Sequence, residues 1–296
     1  MRAARAAAGA GRLLGALLFA ASAVAQNTSP AVAPSASPAA APDDDSALDP
    51  LEPDFTVVNL PTTLRLPEHA AAFRLTHRFT RPLGEGDFGD LVKSFFGFDS
   101  AAQVGLEFRF GLFRGSQLGV YRTNDRAIDF FWKQDLRRRR DAPLGLSLFG
   151  AVEGQDNFSE EYSPGVALAV SRKLGRRAIV YVEPAWVGNT ARAQDGPTAH
   201  DSTVFVGLGA RVRLGSSAYL AGEFAPRLAG FKGINPARPA EHAANHVSFG
   251  IEKRVGGHSF QLNFSNYFAT TLATLARGAG SGDDWYIGFN LSRKFY

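Results

Sequence analysis

The stretch Ala101-Ala-Gln-Val-Gly-Leu-Glu-Phe-Arg-Phe-Gly-Leu112 constrains the fold more than any other part of the chain. Its even positions are apolar (Val104, Leu106, Phe108, Phe110, Leu112), and its odd ones are Gln103, Gly105, Glu107, Arg109 and Gly111. Successive side chains of a strand point to opposite faces, so a period of two predicts an extended strand with one greasy and one wet side. A helix would scatter both classes around its circumference. The stretch also has the roughly ten residues that a tilted strand needs to cross a bilayer.

From Ala70 onward the pattern recurs in about twelve segments, near 70–79, 101–112, 116–122, 126–136, 145–154, 163–173, 177–187, 202–213, 217–227, 245–254, 258–268 and 284–295. The segment 177–187 is the least clean, because Ile179 and Tyr181 share a phase with Glu183. The connections give an independent test. With the N-terminus on the periplasmic side, outer loops should be long and inner turns short. The outer set (80–100, 123–125, 155–162, 188–201, 228–244, 269–283) is long with one exception, Thr123-Asn-Asp125. The inner set (113–115, 137–144, 174–176, 214–216, 255–257) is short except at Arg137-Arg-Arg-Arg140. A soluble β-sandwich has no reason to sort its loops this way.

Strands can sit in hydrocarbon only when every backbone group is paired, which requires a closed sheet without edges. The expected fold is therefore all-β, an antiparallel up-and-down transmembrane β-barrel of about twelve strands. Its lipid-facing candidates are Val104, Leu106, Phe108, Phe110, Ile128, Phe130, Trp132, Phe260, Leu262, Phe264, Ile287 and Phe289. Its lumen-lining candidates are Glu107, Arg109, Asp129, Lys133, Glu153, Lys173, Arg211, Arg213, Glu223, Glu252 and Arg254. Both signs of charge mix in that second set, which argues against strong ion selectivity and allows neighbouring strands to pair their charges. Twelve strands fall between a barrel filled by side chains and an open porin, so a narrow or partly plugged lumen is expected. In the first outer loop, Leu91, Phe95 and Phe98 recur at near-helical spacing and predict a short amphipathic helix, folded over the mouth or lying at the membrane interface.

The N-terminus supplies an address. Arg2, Arg5 and Arg12 precede or flank the apolar run from Leu13 to Ala21, and Ala23-Val-Ala25 follows. This is the pattern of a secretory signal (1–25) cut after Ala25. Those three arginines carry three of the four excess positive charges, so the apparent basicity belongs to the signal and argues against a nucleic-acid partner. Residues 26–54 are rich in Ala, Pro, Ser and Asp and read as a disordered tether, leaving 55–296 for the barrel. The exported chain has no cysteine, so disulfides cannot hold it together.

The runs Asn59-Leu-Pro-Thr-Thr63, Thr76-His-Arg-Phe79, Phe96-Gly-Phe-Asp-Ser-Ala-Ala102, Val120-Tyr-Arg-Thr-Asn124 and Lys133-Gln134 resemble the DUF5777 family of bacterial β-barrel proteins over about 55–295. The resemblance implies an outer-membrane-type barrel and no established activity. The terminal Tyr296 is similar to the assembly signal of outer-membrane barrels, although the greasy phase runs through Phe295.

Catalytic and metal signatures are sparse. His246 and Ser248 stand at i, i+2 on one strand face, the spacing of a base and a nucleophile, and resemble the His-x-Ser-Asn run of outer-membrane lipid-acyl hydrolases. Phe249 replaces that Asn, and the pair shares its phase with Glu252 and Arg254, away from lipid. His69, His77, His200, His242 and His258 lack metal-ligand spacing, and no cofactor is expected. The expected function is a non-enzymatic barrel of the bacterial outer membrane, porin-like for small solutes. Its expected partners are outer-membrane lipid and, during insertion, the barrel-assembly machinery. The alternatives are the hydrolase, and an anchoring barrel whose tether recruits a periplasmic partner.

Overall fold

A computed structural model describes residues 49–137, 143–192, 201–234 and 242–295. The signal, most of the tether, Arg138–Arg140 of the basic turn, His200 and Tyr296 lie outside the described residues. Twelve strands follow in order: β1 Ala71–Phe79, β2 Ala102–Phe113, β3 Ser116–Thr123, β4 Ile128–Asp135, β5 Leu144–Gln155, β6 Glu160–Leu174, β7 Ala178–Val187, β8 Thr203–Arg213, β9 Ala218–Ala225, β10 His246–Val255, β11 His258–Ser265 and β12 Tyr286–Phe295. Past Pro226, which has no N–H for the ladder, β9 resumes as Arg227–Gly230. Each strand pairs antiparallel with its sequence neighbours, and β1 pairs with β12 from Ala71↔Phe295 to Arg78↔Gly288. That last ladder closes the cylinder.

Exposure follows the expected polarity. In β2, Phe108 is 48% exposed while its neighbours Glu107 and Arg109 are 3% and 2%. Apart from one residue, the lipid-facing candidates are exposed or half-buried on the outer wall. Ile287 is the exception: it has the outward phase but is buried, at the strand end where Leu83 N–H donates to Trp285 O and brings the first outer loop alongside. A charge in the outer belt should therefore be costly. Phe108→Arg is expected to destabilise the folded barrel by about 2–4 kcal/mol if Phe108 stands near the bilayer midplane. Reversible denaturant unfolding in lipid vesicles checks this, and an unchanged midpoint would contradict the outward placement.

The first outer loop carries the short helix α1, Phe88–Lys93, capped reciprocally by Asp87 and Asp90, and then a turn of 3₁₀ helix, Phe95–Gly97. A second helix, α2 (Leu272–Arg277), belongs to the last outer loop. It packs inside the barrel against β6, β7 and β8, burying Leu272, Ala273, Leu275 and Ala276. This explains the mixed phase of β7. Ile179, Tyr181, Ala185 and Val187 point inward because part of the interior is an apolar core, shared with α2 and with Leu51, Val57 and Leu60.

The largest departure from the sequence reading concerns residues 49–66. The sequence predicts a tether that runs to residue 54 and a barrel that begins at 55. Instead Leu51, Glu52, Asp54 and Phe55 are all buried with Val57, Val58, Asn59 and Leu60 inside the cylinder. Residues 55–62 form a narrow hairpin, closed by Thr62 N–H to Phe55 O (2.8 Å) and Val57 N–H to Leu60 O (2.8 Å). Both legs of the hairpin point to the short-turn end of the barrel, where Asp49 meets Lys173 near the end of β6 and Arg65 meets Asp135 at the end of β4. The tip reaches mid-barrel.

Candidate functional site

Most of the lumen-lining residues converge on one site, and its occupant is the chain itself. Glu223 on β9 is the centre. Its carboxylate accepts from three consecutive backbone amides at the hairpin tip, Val58 (3.0 Å), Asn59 (2.9 Å) and Leu60 (3.0 Å), and from Asn59 Nδ2 (2.6 Å). Successive N–H groups turned to one point make an anion-binding nest, and here a wall side chain supplies the anion. From β10, Ser248 Oγ donates to the same carboxylate at 2.9 Å, and His246 Nε2 lies 3.2 Å from it.

Carbonyl oxygens of the segment are met by wall cations and amides. Arg211 Nη2 donates to Thr56 O (2.8 Å), Gln261 Nε2 to Val57 O (2.7 Å) and Asn290 Nδ2 to Val58 O (3.0 Å). Arg78 reaches Asn59 Oδ1 at 3.0 Å, and Arg254 reaches Asp49 O at 2.7 Å. Lys133 Nζ donates to Leu64 O, and Lys294 Nζ to Pro53 O. Tyr181 and Thr63 hydroxyls hold the buried Glu52 carboxylate, each at 3.0 Å. Phe55 sits under two cations, Arg109 at 5.1 Å and Lys294 at 5.5 Å from its ring centre.

The wall leaves room for the tip by omitting side chains. A Cβ on Gly207 of β8 would stand 2.6 Å from Leu60 Cδ2, and one on Gly209 would stand 3.1 Å from Val57 Cγ2. Little space remains. Two interior cavities border the segment, one of about 40 Å³ beside Glu52, Thr63 and Lys173, the other of about 20 Å³ beside Asn59, Asp129 and Thr271. Volumes of that size have room for a few water molecules.

The candidates from sequence divide as follows. Arg211, Glu223, Lys133, Lys173 and Arg254 bond the inserted segment directly. Glu107 and Arg109 pair with each other and, through Arg74, reach Thr56. Glu252 neutralises Arg211 at 3.0 Å. Glu153 serves the other insert, accepting from Thr271 at the start of α2 and from Arg277 at its end. Asp129 is buried beside the smaller cavity, with one carboxylate oxygen lacking a hydrogen-bond partner among the described residues. Arg213 does not line the bore: its guanidinium folds back to cap Gly215 O of its own turn at 2.8 Å. Sequence reasoning left out Arg74, Arg78 and Lys294, although β1 and β12 carry them in the inward phase. Among the described residues, no cluster of His, Cys, Asp or Glu could hold a metal ion.

A closed antiparallel cylinder, oily outside and polar within, is a membrane β-barrel. The chain belongs to the DUF5777 family of membrane-bound β-barrel domains, which matches residues 54–295. No curated protein matches it. Among solved structures, an outer-membrane channel from Pseudomonas putida F1 is 10% identical, with a TM-score of 0.49 and coverage of 78% of this chain and 97% of that one. The NanC porin is 9% identical, with a TM-score of 0.47 and coverage of 77% and 99%. The outer membrane phospholipase A of Escherichia coli is 12% identical, with a TM-score of 0.38 and coverage of 76% and 90%.

Proposed function

We propose that this protein is a non-enzymatic barrel of the bacterial outer membrane, reached after signal cleavage, whose bore is kept shut by its own residues 49–66. In this reading it is porin-like only when that segment leaves, and small solutes then pass. The observation that carries the proposal is the grip of Glu223 on the amides of Val58, Asn59 and Leu60. A wall carboxylate aimed at a backbone nest is a built contact between barrel and segment, not incidental filling.

The test is electrical. In planar bilayers the intact chain is expected to be silent, and a variant lacking 49–66 is expected to show discrete conductance steps. Steady conductance by the intact chain, or silence from a folded deletion variant, would count against the closed-gate reading. Heat-modifiable migration on gels separates a folded variant from a misfolded one.

The hydrolase reading draws less support from the geometry. Ser248 donates its hydroxyl hydrogen bond to Glu223, and His246 turns its Nε2 to the same carboxylate, so nucleophile and base converge on a third group inside a filled lumen. The anchoring reading is favoured by one observation: Asp49 stands at the short-turn end, the end predicted to face the periplasm. Loss of a co-purifying protein on deleting residues 26–48 is its expected result.

A further inference from the structure

The oily outer wall does not stop where the strands end. Phe289 stacks on His77 with centroids 4.8 Å apart, His77 meets Phe79 at 4.4 Å, Phe79 meets Phe98 at 4.6 Å, and Phe98 meets Phe95 at 5.6 Å. His77, Phe79 and Phe289 all have the outward phase of β1 and β12, so this chain of rings leads from the wall into the first outer loop. Phe79 is buried although it faces outward, and Phe98 is the ring against it.

Beyond that junction the loop turns its apolar residues away from the protein. Helix α1 has no buried residue. Phe88 is 74% exposed and Phe95 63%, with Val92, Phe96 and Phe98 also exposed. The loop is nevertheless built and fastened. Thr80 N–H donates to Ala101 O (2.9 Å) and Leu83 N–H to Trp285 O (2.7 Å). The Arg81 guanidinium ties Glu85 O and Asp90 O together, each at 2.9 Å. A loop serving as a lid would bury these rings over the mouth, whereas this one presents them to the surroundings. Large exposed apolar patches mark an interaction surface.

We propose that residues 85–100 form an interfacial foot beside the barrel, with Phe88, Phe95 and Phe96 set into the acyl region of the outer leaflet. The occupant is lipid because a series of ring contacts carries the lipid-facing wall as far as Phe95, in the same exposed loop as Phe88 and Phe96. Phe side chains on the apolar face of an interfacial segment bury at the boundary between headgroups and acyl chains.

The absence of cysteine makes the test direct. Single variants Phe88→Cys, Phe95→Cys and Phe96→Cys of the full chain carry a nitroxide in lipid vesicles. Each probe's collision rates with oxygen, which concentrates in lipid, and with a water-soluble nickel chelate are compared. Phe260→Cys on the outer wall and Ser216→Cys in an exposed turn serve as the lipid and water references. The loop probes are expected to collide with oxygen several-fold more than with the chelate, as at position 260. A ratio like that of position 216 would overturn the proposal in favour of a solvated loop. Exclusion of both reagents would overturn it in favour of a protein partner or a second copy.

Discussion

Replacing Glu223 by alanine is expected to free the hairpin tip and to weaken the folded barrel by roughly 3–5 kcal/mol, the scale of several buried donors left without an acceptor. The carboxylate takes hydrogen bonds from Val58, Asn59 and Leu60 N–H, from Asn59 Nδ2 and from Ser248 Oγ, all away from bulk water. Alanine leaves these donors in a space too small to rehydrate fully, so the cheapest escape is for the tip to withdraw. Two readouts should then move together: the denaturant midpoint falls, and residues 55–62 become open to protease from the short-turn side. Glu223→Gln is the sharper variant, since it keeps the shape but turns an NH₂ group toward the donors. An alanine variant with wild-type midpoint and wild-type protease resistance would remove Glu223 from the centre of the site.

The wall was legible in the sequence and its contents were not. Period-two alternation is a property of each strand by itself, so Val104, Leu106, Phe108 and Phe110 announce their face without knowledge of any neighbour. Strand ends follow from that local signal, and the sorting of long and short connections supports it independently. Residues 49–66 carry no such signal. Phe55-Thr-Val-Val-Asn-Leu-Pro61 is too short for a periodic pattern, and it follows an Ala, Pro, Ser and Asp run that argues for disorder. What orders it is a set of partners far away in sequence, above all Glu223, 163 to 165 residues on. One clue was present. Phases that should have been polar throughout hold Tyr121, Phe131, Phe149, Ile179, Tyr181 and Phe205, and inward rings in a barrel of this width need something apolar to pack against. The glycines of β8 were a second trace, since Gly207-Leu-Gly209 thins the wall where Leu60 and Val57 press on it. Read from sequence alone, those glycines serve equally well for barrel curvature.

A different result is expected at Arg211, because its strongest bond is to the wall. Its Nε donates to Glu252 Oε2 at 3.0 Å with both side chains fully buried, and its Nη2 reaches Thr56 O at 2.8 Å. Arg211→Met strips the cation from Glu252 and leaves that carboxylate with the Ser259 hydroxyl as its remaining side-chain donor. Breaking a buried ion pair from one side costs about 3–5 kcal/mol, mostly the penalty of the stranded charge. Adding Glu252→Leu removes that charge as well, so the double variant should be more stable than Arg211→Met alone, a coupling that a double-mutant cycle measures. The hairpin should stay in place in both, since Val57 O keeps its bond from Gln261 and Glu223 still holds the tip amides. Stability loss without new protease access is therefore the signature at position 211, and loss with access the signature at 223. If Arg211→Met opened the hairpin to protease as widely as Glu223→Ala, the segment would be held by wall charge in general, and the nest at its tip would have no special part in closing the bore.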